Sequence, residues 1–352
     1  MSSRVKMRFL AIFLFLSTPT WAEPPEQPGT FDARVKRASA LLDKGDLDGA
    51  IVEFREALRL EPGNFLGHIY LGKSLEAKGD FDSAIAEFRE AKRLQPDDAW
   101  PHFYLGTALA NTGDFDGAIT EFREALDLEP DDPSTHHNLG GALQAKGDLD
   151  SAIAEFREVL RLEPDDPSAH YNLGRALKDK GDLDGAIAEY RESVRLNPED
   201  PEAHVALGTA HGAAGDFDAA ITKYREAILL RPDYFDAYHN LGAVFLKKGD
   251  LEAAVTHFRE ASRLEPADPD ARLALTIVLV ASGDLDGAIS ELREAIRRKP
   301  DDGQAHCSLG GLLEKKGELQ AALDEYRRAS DLDRNNKEFR EHYKRLSRRL
   351  KK

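Results

Sequence analysis

The chain is 352 residues long, with 41% hydrophobic, 32% charged and only 8% aromatic residues, an apolar fraction that excludes wholesale disorder. Lys+Arg 48 against Asp+Glu 64 gives a net charge of −16, the wrong sign for a general nucleic-acid binder. A single cysteine, Cys307, excludes an internal disulfide framework and a cysteine-based zinc site.

Residues 1–22 read as a signal peptide. Arg4, Lys6 and Arg8 lead into the apolar run from Phe9 to Leu16, and Thr20 and Ala22 flank Trp21 as a signal peptidase requires. The run is far shorter than the ~20 residues that span a bilayer. Cleavage after Ala22 and export to the periplasm or medium are therefore expected. Residues 23–30 (EPPEQPGT) form a short flexible leader.

From Phe31 onward one unit repeats. A Gly-Asp or Gly-Glu pair returns at Gly45, Gly79, Gly113, Gly147, Gly181, Gly215, Gly249, Gly283 and Gly317, always 34 residues on. Pro62, Pro96, Pro130, Pro164, Pro198, Pro232, Pro266 and Pro300 keep the same beat. A fixed period of this size means a stacked array. Its units are 31–64, 65–98, 99–132, 133–166, 167–200, 201–234, 235–268, 269–302 and 303–336. Each reads as two antiparallel helices. In 133–166, Asp132 caps a first helix opened by Pro133, and Leu139 and Leu143 form its buried stripe. Gly147 ends it, Asp148 or Asp150 caps a second helix with the stripe Leu149, Ile153, Phe156 and Leu160, and Pro164 stops that helix. The sixth unit, with His211-Gly212-Ala213-Ala214, has the weakest stripe and is expected to flex most. Residues 337–352 place Phe339, Tyr343, Leu346 and Leu350 on one face of a capping helix with eight basic and two acidic residues, leaving −25 on 23–336.

This pattern resembles the tetratricopeptide repeat (TPR) family. Leu139-Gly140, Ala152, Phe156, Val159 and Pro164 match its motif in one unit, and Leu173-Gly174, Ala186, Tyr190, Ser193 and Pro198 match it in the next. The family's early aromatic is here usually histidine (His68, His102, His136, His170, His204, His306). The resemblance implies an all-α, right-handed superhelical solenoid whose first helices line a concave groove. It also implies a protein-interaction scaffold.

No cofactor or catalytic group stands out. Histidines on successive packed helices lie ~8–10 Å apart, too far to share a metal, and adjacent His136 and His137 point differently. The recurring Asp-Leu-Asp-Gly lacks the ligands of a calcium loop, so capping is its expected role. The repeats fill 31–336, so no enzyme is expected. By resemblance, the groove takes Asn138, Asn172 and Asn240 as a partial amide ladder able to pair with a peptide backbone. Tyr70, Trp100, Phe103 and Tyr104 would anchor apolar side chains, although packing on the preceding repeat competes for them. Tyr171, Arg175 and Lys178 add donors beside Asn172, and Leu273, Ile277 and Val280 make a second apolar stretch. The expected partner is an extended peptide or protein segment, neutral or basic overall. The basic end helix offers weak contact with an anionic membrane surface. The alternative, by likeness to the superhelix of O-linked N-acetylglucosamine transferase, is substrate recognition for a separate catalytic chain. Position 5 of each repeat lacks the lysine of a chaperone-tail clamp, which argues against that mode.

Overall fold

The computed structural model describes residues 29–266 and 268–351, so the expected signal peptide lies outside the described residues. Among the described residues every regular element is a helix, and the chain divides into two compact units. The first, ending at Leu196, holds α1 (Phe31–Leu42), α2 (Leu47–Leu60), α3 (Phe65–Lys78), α4 (Phe81–Leu94) and α5 (Ala99–Asn111), then α6 (Phe115–Leu128), α7 (Pro133–Lys146), α8 (Leu149–Leu162), α9 (Pro167–Lys180) and α10 (Leu183–Leu196). The second, from Asn197, holds α11 (Pro201–Ala213), α12 (Phe217–Leu230), α13 (Phe235–Lys248), α14 (Leu251–Leu264) and α15 (Pro269–Ser282), then α16 (Leu285–Arg298), α17 (Gly303–Lys316), α18 (Leu319–Leu332) and α19 (Lys337–Leu350). None of these helices is long and apolar enough to cross a membrane.

Local chemistry sets the boundaries. Asp132 accepts from the Thr135 N–H at 2.9 Å to open α7, and Asp148 accepts from Ser151 at 3.2 Å to open α8. Gly147 turns the chain at φ 87°, a left-handed conformation that costs a residue with a Cβ far more than glycine. The first aspartate of Asp-Leu-Asp-Gly is thus a helix cap, as Asp46 on Gly49 and Asp284 on Gly287 show again. The second aspartate takes a lysine thirty residues on: Lys78 reaches Asp48 at 2.5 Å, Lys180 reaches Asp150 at 2.5 Å, and Lys146 pairs with Asp116. These pairs are exposed, and each contributes a few tenths of a kcal/mol at most by the usual scale of ~0–1 kcal/mol.

The Leu-Gly step has a packing reason. A Cβ on Gly140 would stand 2.8 Å from the Phe156 ring, and one on Gly72 would stand 2.5 Å from Phe88. Glycine lets the aromatic ring of the second helix lie flat on the first. In the eighth repeat both partners change together: Thr276 replaces the glycine and Leu292 replaces the aromatic, and both are buried. The smaller, flexible Leu292 makes room for part of the added threonine side chain.

Within each unit every helix pair packs on itself, and the second helix packs on the first helix of the next pair. Successive first helices also approach one another, α3 with α5, α5 with α7 and α7 with α9 in the first unit, and α11 with α13 in the second. That side carries the candidate site. In α19, Phe339 and Leu346 are buried against the last repeat and Tyr343 is half-buried, but Leu350 is exposed at the tip. Arg345 and Arg349 both reach Glu314.

Candidate peptide-binding face

The in-register histidines have a structural task. His136 bonds the Glu155 carboxylate through Nδ1 at 2.6 Å and the Pro130 carbonyl through Nε2 at 2.9 Å. His68 does the same with Glu87 (2.6 Å) and Pro62 (3.0 Å), and His170 with Glu189 (2.7 Å) and Pro164 (3.2 Å). In the second unit His306 holds Glu325 at 2.6 Å and Pro300 at 3.0 Å. A phenyl ring could fill the same space but could not tie the proline turn to the following helix. That is why histidine occupies a position the family gives to an aromatic.

His102 with Glu121 and Glu124 brings three donor atoms within 4.8 Å of one another. The departure that builds this cluster is Asp127, which stands where Arg93 and Arg161 hold the equivalent glutamates. Lys92, in a register otherwise mostly aliphatic, places its ammonium 3.0 Å from Glu121 and 2.8 Å from Glu124. Burial pulls that ammonium down, but its bonds to the two carboxylates outweigh burial and raise it. The cluster is balanced by the chain's own cations. Cys307 is buried, and burial pushes its thiol up, away from nucleophilic thiolate.

Along the first helices of the first unit, half-buried side chains alternate between packing and display. Tyr70 stacks on Phe54 at 5.8 Å and Tyr104 on Phe88 at 5.7 Å, so each ring is shared with the preceding repeat. Lys73 donates to the Tyr104 hydroxyl at 3.3 Å, and burial holds that hydroxyl protonated, its pKa pushed up to about 12. Phe103 leans on Tyr104 and on Phe122 of its own repeat, and Tyr171 leans on Tyr190 at 5.6 Å. Trp100 is half-buried, and its indole N–H has no partner among the described residues.

Asn138 is half-buried, its amide without a partner among the described residues. Asn172 donates to His137 Nε2 at 3.1 Å, and burial lowers the His137 pKa, which keeps that nitrogen an acceptor. The ladder's two rungs in this unit are therefore unequal, one preset by a histidine and one open. Arg175 donates to the neutral Gln144 amide at 2.9 Å and meets no carboxylate among the described residues, whereas Lys178 stands 3.8 Å from Asp179. Sequence reasoning missed Gln144, His137 and Lys73 as members of this face. Their signal was spacing, since the joining bonds run 31 or 35 residues, one repeat less three residues or plus one.

In the second unit Asn240 is half-buried with no partner for its amide among the described residues. Leu273 and Ile277, one turn apart on α15, are 58% and 51% exposed, while Val280 is half-buried.

Family models described as tetratricopeptide repeat match residues 35–99, 71–133 and 137–201, then 201–222, 245–313 and 303–336, and one described as TPR repeat matches 213–249. A tetratricopeptide repeat protein from Parabacteroides merdae is similar at 16% identity and TM-score 0.57, over 71% of this chain and 98% of its own. MamA is similar at 27% identity over 48% of this chain and 92% of its own, with TM-score 0.44. YrrB, described as a TPR protein with an unusual peptide-binding site, is similar at 22% identity over 56% of this chain and 97% of its own, with TM-score 0.45. No curated protein matches.

Proposed function

Because the chain belongs to the tetratricopeptide repeat family, we propose that it is a non-enzymatic scaffold or adaptor that holds an extended peptide or protein segment along its first helices. One observation carries this reading. The half-buried groups on α5, α7 and α9 keep recognition capacity that folding has not consumed: the Trp100 indole, the Asn138 amide and the Arg175 guanidinium on a neutral amide. A side-chain amide can pair with a peptide unit whatever the partner's sequence, and a half-buried tryptophan supplies an anchor. The charge on 23–336 favours a segment that is neutral or basic overall. The basic start of the chain and its apolar run support export and a place in the cell envelope. Lys344 and Arg348 of α19, without carboxylate partners among the described residues, suit a weak contact with an anionic surface.

The test is capture from envelope extract by residues 23–352, followed by titration of the recovered segment into the purified protein. Wild type is expected to bind, and Asn138/Asn172/Asn240→Ala and Trp100→Ala to weaken binding at least about tenfold, the scale of one hot spot. Equal affinity for wild type and both variants would sink the proposal.

A further inference from the structure

The histidine bonds described above impose a proton requirement. A peptide carbonyl only accepts, an ionised carboxylate only accepts, and a neutral imidazole carries a single N–H. His68, His102 and His136, on the successive first helices α3, α5 and α7, each face one of both: Glu87 and Pro62, Glu121 and Pro96, Glu155 and Pro130, a geometry that His170 and His306 share. A neutral ring would donate to one partner and set its lone pair against the other. We propose that these three rings are proton-loaded clasps: protonation fastens each inter-repeat turn to the helix pair that follows, and loss of the proton with rising pH loosens the second to fourth repeats.

The charged groups around each ring are consistent with this. His68 faces Glu87 and Glu90 of α4, and Arg93 takes much of the charge of Glu90. His136 faces Glu155 and Glu158 of α8, with Arg161 on Glu158. His102 faces Glu121 and Glu124 of α6, and Lys92 of α4 opposes it from the preceding repeat. In all three the bond to the glutamate raises the imidazole pKa and burial works against it. A group raised in the folded state adds stability that is full below its unfolded value of about 6.5 and is lost as pH climbs through the raised value. The device therefore tightens in mild acid and relaxes toward alkali. The helices it fastens, α3, α5 and α7, also carry Tyr70, Tyr104 and Asn138.

The experiment is a histidine titration by ¹⁵N NMR on residues 23–352, beside thermal melting from about pH 6 to pH 8.5, the range in which imidazoles change charge. Both nitrogens of all three rings are expected to be protonated at neutral pH, and the melting temperature to fall by at least about 3 °C across the range. Glu155→Gln keeps an acceptor for Nδ1 but removes its charge. It is expected to return the His136 midpoint toward about 6.5 while leaving His68 and His102 unmoved. Singly protonated rings at neutral pH, or a His136 midpoint unaltered by Glu155→Gln, would overturn the proposal. The wild-type titration decides the matter even where a variant folds poorly.

Discussion

At the scale of single residues, the coupled exchange of Thr276 with Leu292 shows how little free volume separates first and second helices. Transplanting half of it should fail where transplanting both succeeds. Gly140→Thr places a branched side chain where a Cβ already meets Phe156 at 2.8 Å, and is expected to cost ~1–3 kcal/mol. Adding Phe156→Leu should recover most of that, a coupling that denaturant melts of the two single variants and the double variant would measure directly. Additive losses would show that the joint relaxes by some other route. By contrast Lys146→Ala removes only an exposed pair with Asp116, and should change stability by less than ~0.5 kcal/mol.

At the scale of elements, the helices were legible in the sequence because each boundary is fixed locally. An aspartate cap, a glycine turn at positive φ and a proline stop need nothing from the rest of the chain. The first-helix face was legible only in part. Tyr70 and Tyr104 stand in the right register, yet their stacking on Phe54 and Phe88 depends on how deep each ring sits between repeats, which spacing does not encode. The histidine bonds escaped for the same reason. Each joins partners 19 residues ahead and 6 behind, and only the packed pair brings them to one ring. Two elements differ from their neighbours. α11 ends at Ala213, one residue earlier in its repeat than α7 as α5 also does, and it alone among these helices carries Ala210, Gly212 and Ala213 in its last turn, so its amides should exchange faster than those of α7; equal protection in hydrogen exchange would contradict this. α19 covers the last repeat with Phe339 and Leu346. Deleting 337–352 should lower protection in α17 and α18 and leave α7 and α8 unchanged, because a repeat feels mainly its neighbours.

At the scale of the whole molecule, charge is unevenly spent. The net −16 is carried largely by second helices, caps and turns, while the first helices α3, α5, α7 and α9 set Lys73, Arg175 and Lys178 beside the carboxylates Glu76 and Asp179 among neutral amides and aromatics. The excess of like charge opposes folding through long-range repulsion, whereas the exposed lysine–aspartate pairs return little. Raising salt from ~0.02 to ~0.3 M shortens the screening length from roughly 20 Å to about 6 Å, so the melting temperature should rise. A fall would mean that the pairs contribute more than the repulsion.

The thirty-residue lysine–aspartate pairing has a consequence for how such a chain can change in length. Lys180 sits on Asp150, and Asp116 occupies the same place one repeat earlier. His170 holds the Pro164 carbonyl, and Pro130 stands in the same relation one repeat earlier. Excising residues 133–166 in frame would bring Lys180 to Asp116 and His170 to Pro130, restoring both of these bonds with no substitution, while Asn172 and Arg175 would meet Phe103 and Ala110 in place of His137 and Gln144. Recombination between repeats can therefore lengthen or shorten the protein while keeping its turn junctions, and the change falls on the first-helix face instead.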